Sequence, residues 1–206
     1  MLTLYSAPTS NGLRASIAIE ELEFPYELKK VDLMNGEHRS PEFLALNPFG
    51  QIPVLVDSEG ADGAPLVFDQ SGAIMSYLAE KAGKMLPTTA QERYRFRPIY
   101  LSILSDASLT LGTIFTIMRT PEPHQPSIDL FSKRMAAYVK IYDGWLAERP
   151  YIAGDAYTVA DIALFAVVYR MRQVVPAILE GLGNLERWAG EIEARPGVQR
   201  GIASIT

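Results

Sequence analysis

The chain has 206 residues, is 48% hydrophobic and 21% charged, and carries a formal net charge of −5. That composition suits a packed globule of one large or two small domains, and its acidic balance argues against a general nucleic-acid surface, which needs clustered Lys and Arg. With no cysteine and only two histidines, disulfides, zinc–thiolate sites and a protein thiol nucleophile are excluded; no metal site is expected, and any sulfur chemistry must come from a ligand.

Residues 2–5 read as a short strand and 11–22 as a helix, with Leu13, Ile17 and Leu22 near one face and Glu20 and Glu21 exposed. A second strand is expected at 26–31. Residues 40–46 suit a short helix with Ser40 as N-cap, Pro41 at its first position and Glu42 in the first turn. A third strand follows at 53–56, then a Gly/Asp-rich turn at 57–64, a hairpin partner at 65–68, and a helix at 70–82 ending near Gly83. The order βαβ then ββα predicts one parallel pair and an antiparallel hairpin. Composition shifts after Gly83. Residues 84–90, with Pro87, read as a linker. Helical periods dominate afterwards: 91–119, roughly 40 Å of helix, a break at 120–127 with three prolines, a helix at 128–148, another opened by Thr158-Val159-Ala160-Asp161, and one at 184–194. No stretch approaches the roughly 20 uncharged apolar residues of a membrane span. The first residues lack a basic region and a cleavage site. No membrane association is therefore expected, and the simplest location is the cytoplasm.

The segment Asn47-Pro48-Phe49-Gly50-Gln51-Ile52-Pro53-Val54-Leu55-Val56 is the most informative. Pro53 opens an apolar β-branched run and removes a ladder donor there, and Ile52 before it must be extended. A cis Ile52–Pro53 bond would turn the Ile52 N–H and C=O outward, ready to pair with an extended peptide; a trans proline starting an edge strand is the alternative. Two further patches sit at strand-to-helix joints. Ser6-Ala7-Pro8-Thr9-Ser10-Asn11-Gly12 clusters short hydroxyls and an amide at a helix N-terminus, where anions are stabilised. Gln70-Ser71-Gly72 does the same at the next such joint, and a hydroxyl there can clasp a carboxylate. For each patch taken alone, ordinary capping is the commoner role of such residues. His38 and Arg39, in the preceding loop, could reach a carboxylate at the far end of a ligand. All these patches fall at corresponding strand ends, where α/β ligand sites gather.

In this order and spacing, the motifs resemble those of the cytosolic glutathione transferases over essentially the whole chain. The segments Ala7–Gly12 and Val31-Asp32-Leu33…Gly36 are most similar to the bacterial Nu class. The resemblance implies an α/β thioredoxin-like N-terminal domain (1–83), a linker (84–90), an all-α C-terminal helical domain (91–206), and a homodimer. It also implies glutathione as co-substrate. Ile52 would pair through its backbone with the cysteinyl part beside a cis Pro53. Ser71 and Gln70 would bind the γ-glutamyl end, although Gln70 stands where many members have Glu. His38 and Gln51 would approach the glycyl end, and Thr9, Ser10 and Asn11 would lie beside the sulfur. Ser10 replaces a proline frequent in the Nu class, and the thiolate donor among the three stays open. Tyr5 falls too early to serve as a catalytic tyrosine.

The chemistry so implied is activation of the glutathione thiol for attack on a small electrophile, lying between the domains against Leu109, Phe115, Met118 and Arg119. A helical Leu/Phe/Met face is more often core. Two other readings stay open: glutathione-dependent disulfide or peroxide reduction of the Nu type, with both thiols supplied by glutathione, and a non-catalytic binding module that keeps the fold. Asp161 reads as a folding residue.

Overall fold

The computed structural model describes residues 1–60 and 63–206. Ala61 and Asp62, inside the turn expected at 57–64, lie outside the described residues. Two units divide the chain. One comprises Met1–Lys84 with Ala194–Thr206, the other Met85–Glu193.

In the first unit, strands β1 (Leu2–Ser6), β2 (Tyr26–Lys30), β3 (Val54–Asp57) and β4 (Leu66–Asp69) form one sheet in the order β2-β1-β3-β4. β1 pairs parallel with β2 and antiparallel with β3, and β3 pairs antiparallel with β4, as the βαβ-then-hairpin reading expects. Leu2, Leu4 and Ser6 alternate inward from β1. Helix α1 (Ser10–Glu21) starts at the N-cap Thr9. α2 (Pro41–Leu46) starts at Ser40, whose Oγ accepts the Phe43 N–H at 3.2 Å, with Pro41 in the first turn. α3 (Ser71–Ala82) stops at Gly83 in the left-handed conformation. Asp57, 1% exposed at the end of β3, is clamped by Tyr77 and Lys81 of α3, one turn apart.

The second unit is all helical: α4 (Ala90–Leu101), α5 (Ser108–Met118), α6 (Gln125–Glu148), α7 (Val159–Val174) and α8 (Gly183–Glu193). The single helix expected at 91–119 is continuous but irregular: Ser102–Ala107 between α4 and α5 takes the π form. Pro98 supplies no N–H to the ladder. The hydroxyls of Ser102, Ser105 and Ser108 bond carbonyls of the preceding turn. The run Ala90–Met118 is, by length and composition alone, long and apolar enough to cross a membrane, contrary to the sequence expectation, because Asp106 is the one charge from residue 98 to 118. It packs against α6 and α7, and core helices pass the same test. α6 begins three residues before the expected 128: Pro126, read as a breaker, sits in the first turn, where no N–H is needed.

α7 is buried from Val159 to Val168. Its start hangs on Asp161, which is 0% exposed and accepts from Ile152 N at 2.8 Å, Thr158 N at 2.9 Å, Trp188 Nε1 at 3.1 Å and Thr158 Oγ1 at 3.2 Å. Burial pushes its carboxyl up to about 6 against the pull of those four donors.

The C-terminus departs from the sequence reading. Helix α9 (Pro196–Ile205), absent from the sequence reading, belongs to the first unit, whereas 91–206 was expected to be one helical domain. It lies along α1, which is why α1 is buried all round from Gly12 to Ile19 and not on one face only. Gly201 makes this approach possible: a Cβ there would be 2.6 Å from Ile17 Cα. Arg195–Glu21 at 2.7 Å and Arg200–Glu20 at 2.8 Å fasten the pair.

Two outcomes follow for stability. Asp161→Ala leaves four buried donors without an acceptor and should lower the unfolding free energy by about 3–5 kcal/mol; urea midpoints within error of the parent would contradict the account of α7. Burial alone would raise the Asp57 carboxyl, but Lys81, Tyr77 and the Glu59 N–H outweigh it and hold it down to about 2. The native state thus binds this proton less tightly than the unfolded chain. Its contribution is present above pH about 4 and lost as pH falls through about 2. Lys81→Met should cost about 1 kcal/mol at neutral pH, with the gap to the parent closing across that window in urea melts taken at several pH values.

Candidate functional site

The sheet register gathers the candidate residues. Tyr5 faces Val54, and Val54 faces Asp69, in one row across three strands. The loop leaving β1, the segment entering β3 and the joint leaving β4 therefore meet at one edge of the sheet. The ladder begins at Val54, so the Ile52 N–H and C=O lie outside it. The Ile52–Pro53 bond is cis.

Thr9 is extended, with φ −120° and ψ 165°, and its Oγ1 accepts the Gly12 N–H at 3.1 Å. The Thr9 hydroxyl hydrogen is thereby left to donate elsewhere. Ser10 is half-buried at the first helical position, and Asn11 is exposed. Gly12 is where α1 crosses the end of β1: a Cβ there would be 2.1 Å from the Ala7 carbonyl oxygen and 2.7 Å from the buried Ser6 Oγ. Only a bare backbone permits the helix to start so close to the strand.

At the third joint, Gln70 holds φ +66° with its side chain exposed, and Ser71 is 6% exposed. A non-glycine in that region is strained, and the turn it makes points the start of α3 toward α1. The Ser71 hydroxyl reaches Asn11 Oδ1 at 3.5 Å, the long end of hydrogen-bond range. The same oxygen accepts from Arg14 Nη1 at 2.9 Å. The starts of α1 and α3 thus converge, each bringing the partial positive charge of a helix N-terminus.

The loop before β3 is pinned by Asn47. Its Oδ1 accepts the Phe49 N–H at 3.0 Å and its Nδ2 donates to the Gln51 carbonyl at 2.8 Å. Arg39 Nη1 donates to the Phe49 carbonyl at 3.1 Å. Gly50, at φ +58°, lies against the His38 carbonyl and the Arg39 side chain, so His38, Arg39 and Gln51 form one cluster. The Gln51 side chain is exposed, and the half-buried His38 ring has its Nδ1 buried with no hydrogen-bond partner among the described residues.

Thr9, Ser10, Asn11, Gln70, Ser71, Ile52 and Pro53 are thus brought to one edge, with Gln51 and His38 on its adjoining loop. Of the four residues read as a second-substrate wall, Leu109, Phe115 and Met118 belong to α5 and Arg119 caps its C-terminus, all in the other unit, and they do not share a face. Phe115, Met118 and Arg119 lie together, with the Arg119 and Arg170 guanidinium carbons 5.3 and 4.7 Å from the Phe115 ring centre. Leu109 is 68% exposed and sits about 120° round the helix from Phe115, since six residues are not a whole number of turns. The sequence reading included Asn47 and Gly12 in its motifs without giving either a role, and it passed over Arg14. The Asn-Pro-x-Gly string around Asn47 is a turn signal that could have marked it; nothing in the spacing marks a buried arginine. Among the described residues no group of three or more His, Asp or Glu side chains gathers that could hold a metal ion.

Residues 1–80 match the family model "Glutathione S-transferase, N-terminal domain" and residues 107–196 match "Glutathione S-transferase, C-terminal domain". Among curated proteins, the chain is 31% identical over 221 residues to glutathione S-transferase 3 of Zea mays, covering 99% of this chain and 94% of that protein. It is 32% identical over 200 residues to disulfide-bond oxidoreductase YfcG of Escherichia coli, covering 95% and 92%. Among solved structures, a glutathione transferase family member from Pseudomonas fluorescens with two glutathione bound superimposes with a TM-score of 0.93 at 28% identity, over 98% of this chain and 92% of that one.

Proposed function

This chain belongs to the glutathione S-transferase family and is a glutathione transferase, and on that premise we propose how it binds glutathione and activates its thiol. The observation that carries the reading is the convergence of the α1 and α3 starts, joined through Asn11 and Ser71, beside an unpaired Ile52 backbone. A γ-glutamyl tripeptide matches that arrangement. Ile52 pairs by its N–H and C=O with the cysteinyl residue, in the manner of an added strand, with cis Pro53 fixing the direction in which they point. Ser71 and the N–H groups at the start of α3 take the γ-glutamyl carboxylate, with Gln70 beside it. His38 and Gln51 take the glycyl carboxylate.

The sulfur then lies at the start of α1. A free thiol with pKa near 8.5 is only about 3% ionised at neutral pH. A helix N-terminus contributes about 0.3–1 kcal/mol toward the anion, and each hydrogen bond to a charged acceptor about 1.5–3 kcal/mol. Even heavily screened, a terminus plus the Thr9 hydroxyl and the Asn11 amide lower the thiol by roughly one to two pH units at about 1.4 kcal/mol each. Ser10 supplies a competing hydroxyl. The thiolate attacks an electrophilic carbon, forming a C–S bond as the leaving group departs with its electron pair.

Placement in the Nu class, and disulfide reduction as its activity, form the second reading. It draws on YfcG and on the two glutathione molecules in the Pseudomonas fluorescens structure. In that chemistry the first thiolate attacks one sulfur of a disulfide, expelling a thiolate, and a second glutathione thiolate resolves the mixed disulfide. No protein cysteine is needed, and none is present. We further propose a cytoplasmic homodimer.

Steady-state rates with glutathione and either a chloronitroaryl electrophile or a small disulfide separate the activities. Retention on immobilised glutathione with turnover of neither would leave a binding module. Ser71→Ala should weaken glutathione binding by about 1–3 kcal/mol, and calorimetry giving the parent affinity would remove Ser71 from the site. Thr9→Ala and Asn11→Ala should each raise the pKa of the bound thiol with affinity nearly unchanged; thiolate absorbance against pH that matches the parent in both would remove them from the mechanism.

A further inference from the structure

Arg14 is 1% exposed, one of the largest fully buried side chains described. It lies three residues after Asn11, on the same face of α1, and its Nη1 donates to Asn11 Oδ1 at 2.9 Å. A guanidinium only donates, so the atom of Asn11 that it holds is the oxygen. The Ser71 hydroxyl approaches that same oxygen from α3. With Oδ1 engaged from two sides, the Asn11 amide nitrogen is the end left for a ligand. An exposed asparagine otherwise rotates broadly about its last torsion, and its oxygen would face a sulfur anion as often as its nitrogen. Burying a charge is costly unless it is well hydrogen-bonded. An apolar side chain of similar volume would fill the space without that cost, but it could not hold an oxygen.

We propose that Arg14 is a positioning residue for the transferase reaction, its buried guanidinium fixing the Asn11 carboxamide so that Nδ2 faces the glutathione sulfur. The inference rests on the role given to Asn11 above. Arg14 touches no substrate in this account. It acts through Asn11, and through it couples the γ-glutamyl end of the site at Ser71 to the sulfur end at α1.

Thiolate absorbance of bound glutathione against pH tests this in four variants and one double variant. Arg14→Gln should raise the thiol pKa by about one pH unit, tenfold in the ionisation constant, with glutathione affinity nearly unchanged and the pH profile of kcat/KM moved in the alkaline direction. Arg14→Lys, which still donates, should restore most of the parent value. In an Asn11→Ala background, Arg14→Gln should add no further shift. Asn11→Asp, which keeps a partner for Arg14 and folds even if Arg14→Gln does not, lacks a donor and should raise the thiol at least as far as Asn11→Ala. An unmoved titration in folded Arg14→Gln, beside a shifted one in Asn11→Ala, overturns the inference alone. So does an additive shift in the double variant, or a parent-like titration in Asn11→Asp. A parent-like titration in Asn11→Ala overturns the reading beneath it.

Discussion

The site depends on how closely α1 starts to the end of β1. Gly12 lies where a single methyl group would collide with the Ala7 carbonyl, so the first turn is pressed onto the strand end. Thr9, Ser10 and Asn11 project from that turn at the edge where β3 begins and β4 ends. The helix is held there from both sides: the sheet and α3 pack on it, and α9 closes the remaining flank through Gly201 and two ion pairs. Preorganisation of this kind matters because a thiolate is stabilised only by donors already aimed at it. A frayed first turn would offer the same groups with no fixed direction.

The division of labour within the site follows from donor chemistry. Thr9 spends its lone pair on capping Gly12 and keeps its hydrogen. Asn11 spends its oxygen on Arg14 and Ser71 and keeps its amide hydrogens. Both residues are thus turned from amphoteric groups into donors by their neighbours, which suits an anion. Gln70, in a strained left-handed conformation, and Asn47, bonded at both ends, do comparable work on the backbone. One bends the start of α3 toward α1, and the other sets the Gln51 carbonyl before the cis bond.

The sequence disclosed the features that rest on local rules. Ser40-Pro41 marked a helix start, Thr158 with Asp161 marked another, and alternation with Gly/Pro punctuation gave four strands in the right pairing. What it hid depended on tertiary context. α9 was invisible because Gly197 and Gly201 are poor helix formers in isolation, and their value lies in the close approach to Ile17 and Glu21. Pro126 was taken for a breaker because composition does not distinguish a proline before a helix from one inside its first turn. Arg14 was passed over because a charge in an amphipathic helix is ordinarily assigned to the solvent face, and only packing by α3, α9 and the sheet removes that face.

The central claim is that the start of α1 ionises the thiol of bound glutathione. Its most direct test is the pH titration of thiolate absorbance for glutathione bound to the unaltered protein. The account predicts a midpoint roughly one to two pH units below the value near 8.5 of a free thiol. A midpoint at the free value, with glutathione demonstrably bound, would contradict it.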